Sequence, residues 1–242
     1  QKAIELDPKL AGAHTSLGIA LAGKGQVDEA IACYQKAIEL DPKLAGAHTS
    51  LGIALAGKGQ VDEAIACYQK AIELDPKLAG AHTSLGNALR DKGQVDEAIA
   101  SHRKAIALDP KNAIAHANLG AALAGGKGQL DEAIGCLRKA IELNPKNATA
   151  HSNLGNALYG KRQLDEAIVC WRTAIELDPK HAKVHYNLGV ALYGKGQVDE
   201  AIACYQKAIA LDPKDANAHY NLGLELKDKG QVDEALACFK KV

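Results

Sequence analysis

Aromatic side chains are scarce in this sequence: 4 % of 242 residues, with a single Trp and a single Phe. Strands draw on aromatic and β-branched residues in alternating runs. No such runs occur, so the chain reads as all-helical. Methionine is absent, and the chain opens on Gln1, as expected of a segment of a longer protein. Net charge is missing too, with 29 Lys and Arg against 29 Asp and Glu. A nucleic-acid footprint needs a basic excess, and so does a polybasic membrane anchor. Neither partner is expected. No run approaches the roughly 20 apolar residues of a membrane span, and no N-terminal segment has the pattern of a signal peptide.

What is abundant is repetition. Asp-Pro or Asn-Pro recurs at Pro8, Pro42, Pro76, Pro110, Pro145, Pro179 and Pro213, in steps of 34, 34, 34, 35, 34 and 34. Leu-Gly recurs in phase, from Leu17-Gly18 to Leu222-Gly223. Residues 11–44 and 45–78 are identical. A fixed period of this size signals stacked copies of one supersecondary unit. Within residues 11–44, Ala13, Leu17, Ala20 and Leu21 fall on one helical face. Gly23-Lys24-Gly25 then breaks the helix. Asp28 and Glu29 open a second helix, where the dipole favours acids. Its buried face is Ala30, Ile31, Tyr34, Ala37 and Ile38, and Asp41-Pro42 ends it. Asn112, Asn147 and Asp215 are good caps for the helices that follow them, whereas Leu44 and Leu78 are poor ones. The extra residue of the 35-residue unit sits at Gly125-Gly126, expected to be the inter-helix turn.

The predicted organisation is one α-solenoid over 1–242. Residues 1–10 end a truncated repeat. Full repeats are 11–44, 45–78, 79–112, 113–147, 148–181 and 182–215, and 216–242 is a second truncated repeat. No polar cap follows, so both ends are expected to expose apolar surface and either continue into further repeats or stack on one another.

Chemistry finds little footing. His14, His48, His82, His116, His151, His185 and His219 lie one per repeat, roughly 8–10 Å or more apart by helix packing. Zinc ligands must converge within about 2 Å of a common centre, so the histidines read as seam packing and no metal is expected. Cys33, Cys67, Cys136, Cys170, Cys204 and Cys238 form no C-x-x-C pair. They are too far apart for disulfides and fit a reducing, cytoplasmic setting. The acids recur identically at helix starts, unlike a catalytic acid, which sits once in a distinct environment. The glycines form no phosphate loop. His102 and Trp171, standing where other repeats have Tyr, read as core substitutions. No enzyme activity and no cofactor are expected.

Leu17, Gly18, Ala30, Tyr34, Ala37 and Pro42, with their copies, resemble the tetratricopeptide repeat, W-x2-L-G-x2-Y followed by A-x3-F, A and P. The resemblance covers the whole chain. The family's Trp is His in every repeat, and its Tyr is Leu, as at Leu21 and Leu192. This His-containing variant looks most like the arrays of O-linked N-acetylglucosamine transferases and related bacterial proteins. The resemblance implies stacked antiparallel helix hairpins in a right-handed superhelix. It also implies a groove lined by positions two, five, six, nine, twelve and thirteen of each first helix. Position six reads Ser16, Ser50, Ser84, Asn118, Asn153, Asn187 and Asn221. The resembled transferases grip peptide backbones with such asparagines, each offering a donor and an acceptor. Asn87 and Asn156 at position nine, Lys183 and Asn217 at two, Tyr186 and Tyr220 at five, and Tyr159 and Tyr193 at twelve complete the candidate peptide-binding set. The N-terminal half, with Gly, Thr, Ser and Ile there, reads as a spacer. A carboxylate clamp for peptide C-termini would need a lysine where Ser152 stands.

The leading expectation is therefore a scaffold holding an extended peptide or protein segment in a concave groove. The alternatives are the regulatory or substrate-recruiting arm of a larger enzyme (a glycosyltransferase or kinase), a self-associating array, and an idealised repeat protein with no evolved ligand.

Overall fold

The structure, a computed structural model, describes residues 9–242. The predicted helix end around Asp7-Pro8 lies outside the described residues. The chain divides into two compact units between Lys127 and Gly128. The first holds α1 (Ala11–Gly23), α2 (Val27–Leu40), α3 (Ala45–Gly57), α4 (Val61–Leu74), α5 (Ala79–Asp91), α6 (Val95–Leu108) and α7 (Ala113–Ala122), then a π-helical turn, Leu123–Lys127. The second holds α8 (Leu130–Leu143), α9 (Ala148–Gly160), α10 (Leu164–Leu177), α11 (Ala182–Gly194), α12 (Val198–Leu211), α13 (Ala216–Asp228) and α14 (Val232–Phe239). Strands are absent among the described residues. The fold is an all-α solenoid of helix hairpins.

Each hairpin is made by a small set of residues. The first helix stops because Gly25 takes φ +78°, a left-handed conformation that glycine adopts without steric penalty. Its N–H reaches the Ala22 carbonyl, and the Gln26 N–H reaches that of Leu21, closing the helix end in a Schellman motif. Arg162 holds the same turn at φ +61° without being glycine. The two helices then close on a contact between glycine and a ring. A Cβ on Gly18 would lie 2.5 Å from the Tyr34 ring, and one on Gly155 would lie 2.6 Å from Trp171 Nε1. His102 fills the ring position against Gly86. Gly18 thus admits a close helix crossing, and the reading of His102 and Trp171 as core residues holds, since both are buried.

The turn between repeats is clipped by the histidines. Nε2–H of His48, His82, His116, His151, His185 and His219 donates to the carbonyl of the proline six residues earlier, at 3.0–3.2 Å. The seam histidine thus packs and also satisfies a carbonyl that the proline break leaves unpaired. Asn112, Asn147 and Asp215 accept from backbone N–H groups of the next helix, whereas Leu44 and Leu78 offer no side-chain cap. The extra residue of the fourth repeat does not form an open loop. It is wound into the π-turn, with Leu123 fully buried and Gly126 against Val95.

The identical sequences of α1–α2 and α3–α4 are not identically buried. Leu51, Ala54 and Leu55 are buried, whereas Leu17 and Leu21 are half-buried and Ala20 is exposed. α3 packs between α1 and α5 as well as against α2 and α4. Burial here comes from the neighbouring hairpin, as a one-dimensional stack requires. Lys58 bridges to Asp28 of the preceding hairpin at 2.6 Å, and Lys92–Asp62, Lys161–Asp131, Lys195–Asp165 and Lys229–Asp199 repeat the pattern. Their acids are mostly exposed, so each pair is worth about 0–1 kcal/mol.

Candidate functional site

The first unit holds a cleft of about 480 Å³. Ile53 and Ala56 from α3 form one wall; Thr83, Ser84, Asn87 and Asp91 from α5 form the other. Tyr68 from α4 forms the floor, and Ile114 at the start of α7 lies at the edge. Ile53 and Ile114 are 55 % and 60 % exposed, although isoleucines on a solenoid are ordinarily core. Burial, with Cys67 adding and a hydrogen bond from Ser84 opposing, pushes the Tyr68 hydroxyl up to about 12. It stays protonated near neutrality. Of the sequence-predicted residues, Asn87 and Asn118 belong to this unit. They meet: Asn118 Nδ2 donates to Asn87 Oδ1 at 2.7 Å.

In the second unit, a pocket of about 230 Å³ is lined by Asn156, Tyr159, Trp171, Tyr186, Asn187 and Val190. Four of these were among the predicted set. Asn187 Nδ2 donates to Asn156 Oδ1 at 2.9 Å, and Trp171 Nε1 donates to the same oxygen at 3.2 Å. Tyr159 leans on Trp171 with ring centroids 5.8 Å apart, and Tyr186 leans on Tyr205 at 6.0 Å. Asn221 donates to the Tyr186 hydroxyl at 3.2 Å rather than facing the pocket itself. Tyr220 meets Phe239 at a tilt, with ring centroids 6.1 Å apart. Tyr193, Lys183 and Asn217 are exposed on their helices, and Asn153 is half-buried; none of these four lines the pocket. Ser152 is buried.

Two features escaped the sequence. One is Trp171 as a lining residue as well as core. The other is most of the first unit's cleft: Asn87 belongs to the predicted set, but Ile53, Ala56 and Thr83 beside it do not, because the N-terminal half reads as a spacer. Elsewhere the titratable groups are muted. Burial, with Glu200 adding and Arg172 opposing, raises the Cys204 thiol to about 11. A neutral thiol is a poor nucleophile. Glu225 stands where other repeats carry Ala and is buried; burial, then Asp228, raise its carboxyl. Among the described residues, no helix is long and apolar enough to cross a membrane.

The repeat architecture is shared with known families and structures. The family described as the C-terminal domain of cilia and flagella-associated protein 70 matches residues 45–242, and a TPR-repeat family matches residues 20–59. The chain belongs to the tetratricopeptide-repeat family. The matching families are repeat families rather than catalytic ones. No curated protein matches it. Among solved structures, the APC/C hetero-tetramer Cut9-Hcn1 superposes with a TM-score of 0.84 at 24 % identity. The alignment covers 93 % of this chain but 44 % of that one, so the present chain spans under half of that relative. YrrB, a TPR protein with an unusual peptide-binding site, is 31 % identical with a TM-score of 0.62, over 76 % of this chain and 95 % of its own. MamA is 33 % identical with a TM-score of 0.60, over 65 % of this chain and 91 % of its own.

Proposed function

We propose that the chain is a non-catalytic protein-interaction scaffold that holds an extended peptide or protein segment against the first-helix faces of its hairpins. The observation that carries this is the pairing of amides between successive repeats, Asn118 with Asn87 and Asn187 with Asn156. Each bond fixes which end of an amide points out. Asn118 and Asn187 each keep a carbonyl and one N–H for a ligand, which is what a passing peptide backbone needs. The resemblance to O-linked N-acetylglucosamine transferase arrays and the similarity to YrrB, which has a peptide-binding site, support the same reading. Six cysteines that form no disulfide fit a reducing, cytoplasmic setting.

The test is a randomised library of extended peptides, measured by anisotropy. Asn153→Ala with Asn187→Ala, and separately Asn87→Ala with Asn118→Ala, should weaken selected peptides about tenfold, with helicity unchanged by circular dichroism. Unchanged affinity in both double variants would rule out the amide grip. A second reading, self-association, is favoured by Val232 and Leu236 on α14, each at least half exposed. Light scattering across a concentration series decides it: a constant monomer mass excludes that reading.

A further inference from the structure

The pocket of the second unit has an uneven hydrogen-bonding surface. Asn156 Oδ1 is already doubly occupied, by Trp171 and Asn187, so Asn156 offers a ligand only its two N–H donors. The Tyr186 oxygen accepts from Asn221, which leaves the Tyr186 O–H to donate. Asn187 has one N–H spent and retains one N–H and its carbonyl. The free polar groups are therefore nearly all donors, beside the aromatic walls of Tyr159, Trp171 and Tyr186. A ligand that fits must bring acceptors, few donors, and an apolar face for the rings.

We propose that this pocket reads proline: it seats the ring of a proline within an extended acidic segment of a partner protein. Proline alone among residues has a carbonyl and no backbone N–H, so it presents no donor to a wall of donors. Its compact, preformed ring suits aromatic grooves, and its extended backbone loses little entropy on docking. The carbonyls on either side of it accept from Asn156 and Tyr186. The Asn187 carbonyl is left to take the N–H of the residue that follows. At about 230 Å³ the space falls below the roughly 300–1,000 Å³ of a small-molecule site and suits one side chain.

The charge around the pocket sets the neighbour. Aromatic walls also attract cations, yet the lining contains no carboxylate. Lys183, three and four residues before Tyr186 and Asn187 on α11, is exposed and lies on the same helical face. Lys183 repels a cationic side chain and attracts an acidic one. The segment that fits is thus one with Asp or Glu beside its proline. This inference rests on the scaffold reading, and the experiment separates the two.

Trp171 is the sole tryptophan, so its emission reports on this pocket alone. The full chain is titrated with an unlabelled Ser-Asp-Pro repeat peptide and with its Ser-Asp-Ala analogue, while fluorescein-labelled copies report total binding by anisotropy. The expected result is a saturable change in Trp171 emission with the proline peptide and about tenfold weaker binding of the alanine analogue. Tyr186→Phe, which keeps the ring and loses the donor, should weaken the proline peptide and leave the alanine analogue unchanged. If both peptides bind equally and Trp171 does not respond, the proline site is overturned and the groove reading stands. If neither these peptides nor any member of a randomised library binds, both are overturned.

Discussion

The cleft of the first unit and the pocket of the second share six positions of the repeat, and they differ in what fills those positions. Ile53, Ala56, Tyr68, Thr83, Ser84 and Asn87 in one correspond to Asn156, Tyr159, Trp171, Tyr186, Asn187 and Val190 in the other. Small side chains at two of the first unit's positions leave about 480 Å³; two tyrosines there reduce it to about 230 Å³. The scaffold is conserved between them, since both floors are rings packed on a glycine, Gly52 under Tyr68 and Gly155 under Trp171. The size and lining of the cleft therefore change at a few first-helix positions, while the hairpin contact beneath stays fixed.

The strongest way to break that comparison is to remove a floor. Trp171→Ala deletes a side chain that is only 1 % exposed and should cost about 3–5 kcal/mol. Because repeats couple mainly to their neighbours, hydrogen exchange should quicken around α9–α12 and leave α1–α4 protected. Uniform loss of protection would show that the two units unfold together.

The next effect belongs to the first unit. His102 is wholly buried, and neither ring nitrogen finds a hydrogen-bond partner. Burial, with Arg90 adding, lowers its pKa from 6.5 to about 4. Below pH 6.5 the unfolded chain takes up a proton that the folded chain refuses, so stability falls with falling pH until the folded pKa near 4. The loss should total roughly 3 kcal/mol. His102→Tyr, the residue found at Tyr34 and Tyr68, should flatten that slope in urea midpoints measured from pH 7 to 4. A slope that survives the substitution would assign the acid sensitivity elsewhere.

Glycine substitutions sharpen the shared element. Gly155→Ala drives a methyl against Trp171, and overpacking of about 1–3 kcal/mol outweighs the roughly 1 kcal/mol of helix propensity gained. Gly46→Ala meets nothing within 4 Å and should raise the melting temperature instead. Opposite signs in thermal melts separate contact glycines from merely exposed ones. The smallest effect is expected at Arg162, the one non-glycine residue at positive φ among the described residues. Arg162→Gly should stabilise the second unit by about 1 kcal/mol or less, read as a small rise in urea midpoint.

Much of the fold was legible because its causes are local. Gly25 and Pro42 mark the turns through their own backbone preferences, and Asn112 caps through its own side chain. The clefts were less legible because a cleft is space left by small residues, and Ala56 or Thr83 read singly looks like filler. The commitment of Asn156 Oδ1 to two donors depends on residues 15 and 31 positions away, and no single repeat contains that information. At Gly125-Gly126 the insertion was visible, but its π-helical form was not. That form depends on Leu123 finding a buried place.

The twin hairpins α1–α2 and α3–α4 carry a consequence for assembly. Because their sequences match residue for residue, the face that α3–α4 offers to α5–α6 is also present on α1–α2. A chain that docks the wrong twin, looping out the other, forms an interface of the same composition. No side chain distinguishes the two outcomes. The native register wins only because it completes one more interface, so correct threading in this region is enforced by counting rather than by recognition.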